Sequence, residues 1–384
     1  MNVRKKLAVV FTATIAATMA AAPVLAQSDI DLSTINLPPG FSIEVWTDDV
    51  PNARSMALGD DGTVFVATRR DGRVYAVVPR DAATPRVITL DRDRRMPNGI
   101  AVHDGDLYIA DLTRISRYPD IAGNLEALPE AEIVADDLPS ETHHGWRYID
   151  FGPDGNLYIS IGAPCNVCDR EGFGNISRVD LESGAREVVA YGVRNSVGFT
   201  WHPDTGHLWF SDNGRDMLGD DIPPGEINHA PIDGLHFGFP FCHGGDIADP
   251  EFGDRRDCDE FTPPAQKLGP HVAPLGIEFY TGGMFPDEYQ GQLFIAEHGS
   301  WNRSRKIGYR ITLVRMEGGR AAGYETFADG WLQGEEVLGR PVDVLVLADG
   351  SMLVSDDRNG AIYRISYTPS LDNGVAPSGE GMEE

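Results

Sequence analysis

Apolar and polar residues alternate along most of the chain, and the alternation is interrupted at near-regular intervals by Asp-Gly or a close variant. A period of two places one face of a strand in a core and the other outside it. Asp-Gly supplies the positive φ that a tight hairpin needs. The unit is seen at residues 55–67 (SMALGDDGTVFVA), 99–111 (GIAVHDGDLYIAD), 149–160 (IDFGPDGNLYIS) and 198–211 (GFTWHPDTGHLWFS). A looser copy joins 276–279 (GIEF) to 291–296 (GQLFIA), and a sixth lies at 342–355 (VDVLVLADGSMLVS). A third strand often follows, as at 72–77 (GRVYAV) and 360–365 (GAIYRI). The turn glycines Gly62, Gly105, Gly155 and Gly206 are 43, 50 and 51 residues apart, room for one four-stranded blade per repeat. The pattern therefore predicts an all-β fold: a six-bladed β-propeller with four-stranded antiparallel blades around a central channel.

Composition agrees, with 43 Gly and 26 Pro to serve many turns and few helix-period stripes. The expected organisation is a cleaved signal peptide over 1–26, a propeller domain over 27–368 and a disordered acidic tail over 369–384. The leader is read from Arg4, Lys5 and Lys6 ahead of an Ala-rich apolar run, with small-to-medium residues up to Ala26. That run is short for a membrane span. Export to the periplasm, or secretion, is expected. Cleavage would remove three positive charges and take the net charge from −27 to −30. A surface so acidic excludes nucleic-acid and anionic-membrane binding, which need basic faces. It also makes any gathering of arginines notable.

Four cysteines in an exported chain suggest disulfides, and the local pairs Cys165–Cys168 and Cys242–Cys258 are expected. Zinc on four thiols is the rival, with only one CxxC to favour it. Asp169 after Cys168 excludes a c-type haem motif, so electrons, if transferred, must leave to an external acceptor such as a quinone or a cytochrome.

Candidate chemistry gathers in four places, each at the end of a repeat strand: residues 142–147 with His143 and His144, the 192–196 loop with Arg194 and Asn195, residues 211–215 with Glu226 and Asn228, and residues 297–306. A histidine can take a proton near neutral pH, arginines bind carboxylates bidentately, and carbonyl or carboxylate oxygens suit Ca²⁺. In an extended segment only one of His143 and His144 can face the channel, and His144 is expected there. Trp146, Trp201, Trp209 and Trp301 are expected to pack between blades.

The chain resembles the soluble aldose dehydrogenases that use pyrroloquinoline quinone (PQQ), especially their L-sorbosone dehydrogenase-like branch. The resemblance covers roughly residues 33–367. It rests on His144 ahead of 152–158 (GPDGNLY), on 191–195 (YGVRN), on Asp212, Asn213 and Gly214 with 226–228 (EIN), and on 298–302 (HGSWN). It implies that a sugar is oxidised at its C1 hydroxyl, with His144 as general base and hydride passing to quinone C5. Arg194 and Asn195 would contact the quinone and the developing charge. The carbonyls of Gly214 and Arg215 would bind a Ca²⁺ that polarises the quinone. Lys306 and Arg340 would hold cofactor carboxylates, and Asn98 would stand where those members have a glutamine.

Two positions depart from the glucose-oxidising pattern. Val342 replaces a second arginine, and Ala163 replaces the acid that orients the histidine. Asn166 and Asp169 are the nearby candidates to take over that orienting role. The rival function is a propeller lactonase, whose metal site begins with a glutamate where this chain has Arg54. A non-enzymatic binding propeller is the other alternative.

Overall fold

The computed structural model describes residues 30–80 and 83–369. The expected leader lies outside them, as does the expected tail beyond Pro369. Six blades of four antiparallel strands follow one another along the chain, and the third gains a fifth strand, Leu235–His236, parallel to Arg186–Tyr191. Blade one runs from Met56–Leu58 to Ala83–Asp91, and blade two from Gly99–His103 to Glu132–Ala135. Blade three runs from Ile149–Phe151 to Arg186–Tyr191, and blade four from Phe199–Trp201 to Gln266–Pro270. Blade five runs from Pro274–Phe279 to Arg320–Ala328. The hairpin turns use the expected glycines, with φ of 84° at Gly62, 79° at Gly105, 75° at Gly155 and 66° at Gly206.

Blade six is assembled from both ends of the described chain. Pro341–Val346, Met352–Asp356 and Ala361–Tyr367 supply three strands, and Phe41–Thr47 adds the fourth, antiparallel to Ala361–Tyr367. Local repeat reading could not find this strand, because its partner lies more than 300 residues away. The first strands of neighbouring blades contact each other around the channel at the junctions of blades one with two, two with three, four with five, five with six and six with one. Between blades six and one, the Met56 N–H donates to Asp343 Oδ2 at 2.8 Å, which closes the ring with a polar contact.

Apolar side chains collect at each junction between blades rather than in one central core. Leu353 and Ile362 of blade six pack with Val64 and Val66 of blade one. Phe65 and Ala67 of blade one meet Leu107 and Ile109 of blade two, and the pattern continues around the ring. The junction of blades five and six also takes Phe41, whose ring meets those of Phe285, Tyr289 and Phe327 edge-on at 4.7–5.2 Å. Such packing holds each blade only against its neighbours, so every loop at the channel mouth rests on two rigid sheets.

Both expected disulfides are present, Cys165–Cys168 and Cys242–Cys258. The thiols are therefore not zinc ligands. Among the described residues no helix is long and apolar enough to cross a membrane. Trp201 and Trp209 pack between blades as expected, Trp201 against Tyr158 of blade three and Trp209 edge-on to Phe279 of blade five. Trp146 and Trp301 do not. Both line the channel mouth, and Trp301 is 68% exposed.

Candidate active site

In each blade the chain enters the first strand and leaves the second at the same end of the channel. Loops of blades one, three, four, five and six meet there and enclose a cavity of about 330 Å³. Arg54, His144, Arg194 and Arg340 come from loops entering first strands. Arg69, Asn213, Gly214 and His298 come from loops leaving second strands. A roomier cleft of about 580 Å³ lies among Trp46, Leu58, Arg80, Leu347 and Arg364, by the hairpin turns of blades one and six. It holds no histidine, and its polar groups do not converge as those of the channel mouth do.

His144 sits in a tight turn with φ of 48°, not in the extended segment expected, and the turn leaves His144 buried and His143 exposed. Its Nδ1 lies 2.8 Å from the Ala163 carbonyl oxygen. A carbonyl only accepts, so the proton resides on Nδ1 and the lone pair on Nε2 is free to act as a base. The orienting group is thus the Ala163 backbone itself, and neither Asn166 nor Asp169 serves. Asn166 binds Arg194, and Asp169 pairs with Arg255. Burial, then the charge of Arg194, pushes the His144 pKa well below its ordinary value.

Gly162 makes this placement possible. A Cβ there would stand 2.7 Å from His144 Cβ and 2.9 Å from the His144 carbonyl oxygen. Gly162→Ala is therefore expected to shift the imidazole and reduce kcat by about 10²-fold, the scale of a 1 Å misplacement. Steady-state kinetics beside a melting curve will check it, since a pure folding defect would lower the yield of active protein and leave kcat per active site intact.

Arg194 is buried and almost fully engaged. Its Nε donates to Asn166 O at 2.9 Å and Nη1 to Asn213 O at 3.0 Å. Its Nη2 donates to Asn166 Oδ1 at 2.9 Å and to Asp216 Oδ2 at 3.0 Å. A guanidinium has five N–H groups, so one remains for a ligand. The adjacent backbone is held by Asp212, which accepts from Arg194 N at 2.8 Å and Asn195 N at 2.6 Å. Burial and the facing Glu226 push the Asp212 carboxyl above its ordinary value. Asn195 leaves its buried Oδ1 without a partner in the cavity wall.

A second polar chain crosses the mouth. Arg54 donates from Nη1 to Asp357 Oδ2 at 2.9 Å, and His298 Nε2 meets Asp357 Oδ1 at 2.9 Å. Burial pushes His298 down to about 4, so it is neutral at working pH. Against the pull of burial, the His298 hydrogen bond and the Arg54 and Arg340 charges hold Asp357 below the usual carboxylate range. Arg340 lines the cavity and donates to the His298 and Gly299 carbonyls at 3.2 and 3.3 Å. Val342, where a second arginine was missing, is buried with Val197 and Leu275.

Two expected residues, Asn98 and Lys306, are not brought together with these. Asn98 is fully buried behind Arg54, accepting from its Nε at 2.7 Å, and does not line the cavity. Lys306 faces a separate surface cleft and donates from Nζ to Glu335 O at 2.7 Å. The loop turns back on itself between Ser300 and Ile307, joined by a 2.9 Å backbone bond, and carries Lys306 away from the mouth. The Arg215 side chain points to Asp249 and Glu251. Gly214 does line the cavity, packed so closely that a Cβ would meet Pro223 at 2.8 Å.

Arg69, Arg70 and His271 escaped the sequence reading. Arg69 and Arg70 leave the second strand of blade one as Asn213 does in blade four, His298 in blade five and Asp357 in blade six. Aligning the repeats at that point would have found them. The cavity suits an anionic planar group: five arginines and the Trp146 ring line it. Among the described residues no three His, Cys, Asp or Glu side chains gather to hold a metal. A cation here would be held by backbone oxygens and by the ligand.

Comparison with known proteins agrees with this architecture. A family described as TrAA12-like matches residues 35–368. An uncharacterized protein of Borreliella burgdorferi is 36% identical over 353 residues, covering 87% of this chain and 91% of that one. A Trichoderma reesei carbohydrate-active enzyme of family AA12 superposes with a TM-score of 0.77 at 19% identity, over 89% of this chain and all of that one. The PQQ domain of pyranose dehydrogenase from Coprinopsis cinerea gives 0.73 at 19%, over 90% and 99%. The soluble aldose sugar dehydrogenase of Escherichia coli gives 0.64 at 18%, over 85% and 100%. At these identities the structures speak for the shared propeller, while the family match spans nearly all of it, and on that ground the chain belongs to the TrAA12-like family.

Proposed function

We propose that the protein is a PQQ-dependent sugar dehydrogenase that oxidises the C1 hydroxyl of an aldose or a sorbosone-like sugar. The observation that carries this reading is His144, locked as the Nδ1–H tautomer with Nε2 free beside an arginine-lined cavity. The likeness to the pyranose and aldose sugar dehydrogenases supports it. When bound, PQQ with Ca²⁺ would supply the two-electron acceptor that takes the hydride equivalent from C1. His144 Nε2 takes the hydroxyl proton. The Ala163 carbonyl keeps the ring turned for that transfer and stabilises the imidazolium that forms. Arg340, Arg69 and the Asn195 amide would hold the cofactor. Gly214 and Arg215 would offer carbonyl oxygens to the Ca²⁺, and the remaining Arg194 N–H would face the developing charge. Electrons then leave to an external quinone or cytochrome. Two disulfides fit an oxidising compartment, so the periplasm or the medium is the proposed location.

Titrating PQQ into the cofactor-free protein tests binding directly, because Trp146 and Trp301 line the cavity. Saturable quenching of tryptophan fluorescence, strengthened by Ca²⁺, is expected. No quenching and no retained cofactor would remove the assignment, and lactone hydrolysis with divalent metals would then be assayed.

The pH profile follows from the histidine. Its lowered pKa leaves it neutral as pH falls past the ordinary 6.5. The acid limb of kcat/KM is therefore expected to break well below 6.5. An inflection at or above that value would show that His144 is not the titrating base.

A further inference from the structure

The channel mouth holds more positive charge than the proposed cofactor needs. A second cavity of about 210 Å³ adjoins the first and shares Arg69, Arg70, His298 and Arg340 with it. Asn52, Asp357 and Arg358 complete its wall. Six arginines line the two cavities together. Arg54 is paired with Asp357 and Arg194 with Asp216. Among the described residues no carboxylate lies within ion-pair distance of Arg69, Arg70, Arg340 or Arg358. PQQ brings three carboxylates, and its Ca²⁺ would return two positive charges to the same space. A net positive excess remains, in a chain whose formal charge is −27.

This excess is held in place by the fold. Asn52 Oδ1 accepts from Arg69 N at 3.1 Å and Arg70 N at 2.6 Å. The buried Asp356 Oδ1 accepts from Arg340 N at 3.1 Å, Arg358 N at 2.9 Å and Asn359 N at 3.1 Å. The backbones that present all four arginines are thus pinned by side chains from two adjoining blades. Concentrating these charges has a cost: burial, Arg54 and Arg70 together push Arg69 down to about 10. Arg69 lies over the Trp146 ring at 3.9 Å, inside the first cavity. Arg70 and Arg358 are exposed on the rim of the second.

We infer that the second cavity is a subsite for an anionic group on the substrate, with Arg70 and Arg358 receiving a sugar carboxylate or phosphate ester. The inference rests on the sugar dehydrogenase reading and adds the substrate class. Two guanidinium groups on neighbouring blades suit such a group because each can present a planar pair of N–H donors. A local positive mouth on an acidic protein also draws anions to one place, an effect that salt weakens.

The test compares glucuronate and glucose 6-phosphate with glucose in the PQQ-loaded protein at low ionic strength. One of the two anionic sugars is expected to exceed glucose in kcat/KM by about tenfold or more, and which one does so names the group. In Arg358→Gln, which touches the second cavity and not the first, that advantage should vanish through KM, with kcat on glucose and PQQ affinity unchanged. The position is exposed, so the fold should tolerate the change. Calorimetric titration of glucuronate and glucose 6-phosphate into the cofactor-free protein gives a readout independent of turnover. Salt-sensitive binding that Arg358→Gln loses is expected. A PQQ-loaded enzyme that prefers glucose overturns the inference and leaves the dehydrogenase reading standing. An Arg358→Gln protein that loses PQQ affinity also overturns it, because that arginine would then serve the cofactor. A protein that never binds PQQ but binds the anionic sugar through these arginines would keep the subsite and remove the dehydrogenase.

Discussion

His144→Gln is expected to lower kcat by about 10²- to 10⁴-fold, the usual contribution of a positioned general base, while PQQ affinity and melting temperature stay near those of the parent. The size follows from how the ring is held. Its Nδ1 proton is committed to the Ala163 carbonyl, and Nε2 has no hydrogen bond from the protein. A glutamine amide can reproduce the bond to Ala163 but cannot take a proton at neutral pH. Tautomer and turn are both dictated by backbone, so the substitution removes the base and little else. Rates measured at saturating sugar, with cofactor occupancy determined separately, check the result. A loss of less than about tenfold would mean that another group accepts the proton, and His298 is then the group to replace next.

Arg194→Met is expected to act on stability as well as on rate. Removing the guanidinium leaves Asp216 without its buried cationic partner, at about 3–5 kcal/mol for such a broken pair. Asp216 is 21% exposed, so water recovers part of that. Two carbonyls and the Asn166 side chain also lose donors. The three loops that meet at Arg194, near residues 166, 194 and 213–216, should loosen together. The expected outcome is a melting temperature lower by several degrees and activity below detection. Arg194→Lys should recover part of the stability and little of the rate, since one ammonium cannot meet four acceptors in a fork. An unchanged melting curve would show that the network contributes less than its geometry implies.

The blades were legible because each is a local object. Asp-Gly turns such as 61–62 and 104–105 set hairpins whose strands are neighbours in sequence, so period and count could be read directly. The strand Phe41–Thr47 was not legible, since nothing in its residues names a partner near residue 365. His144, Arg194 and Asn195 could be placed because their motifs precede first strands. The group that orients His144 could not, because a backbone carbonyl leaves no mark on the sequence, and the search for an acid led instead to Asn166 and Asp169. Lys306 failed for a geometric reason: the 298–308 loop folds back, so distance along the chain says nothing about distance from the channel. Trp146 and Trp301 looked like core residues by type alone. Only the loop geometry shows that one carries Arg69 on its face and the other stands open at the rim.

The central claim is that this cavity runs PQQ-dependent sugar oxidation through His144. The most direct measurement is dye reduction by the purified, cofactor-free protein across a panel of aldoses, acid sugars and sorbosone, with PQQ and Ca²⁺ added singly and together. Turnover that requires both, disappears with a chelator and disappears in His144→Gln is the predicted result. Turnover without PQQ, or none with any sugar in a protein that has demonstrably bound PQQ, would contradict it.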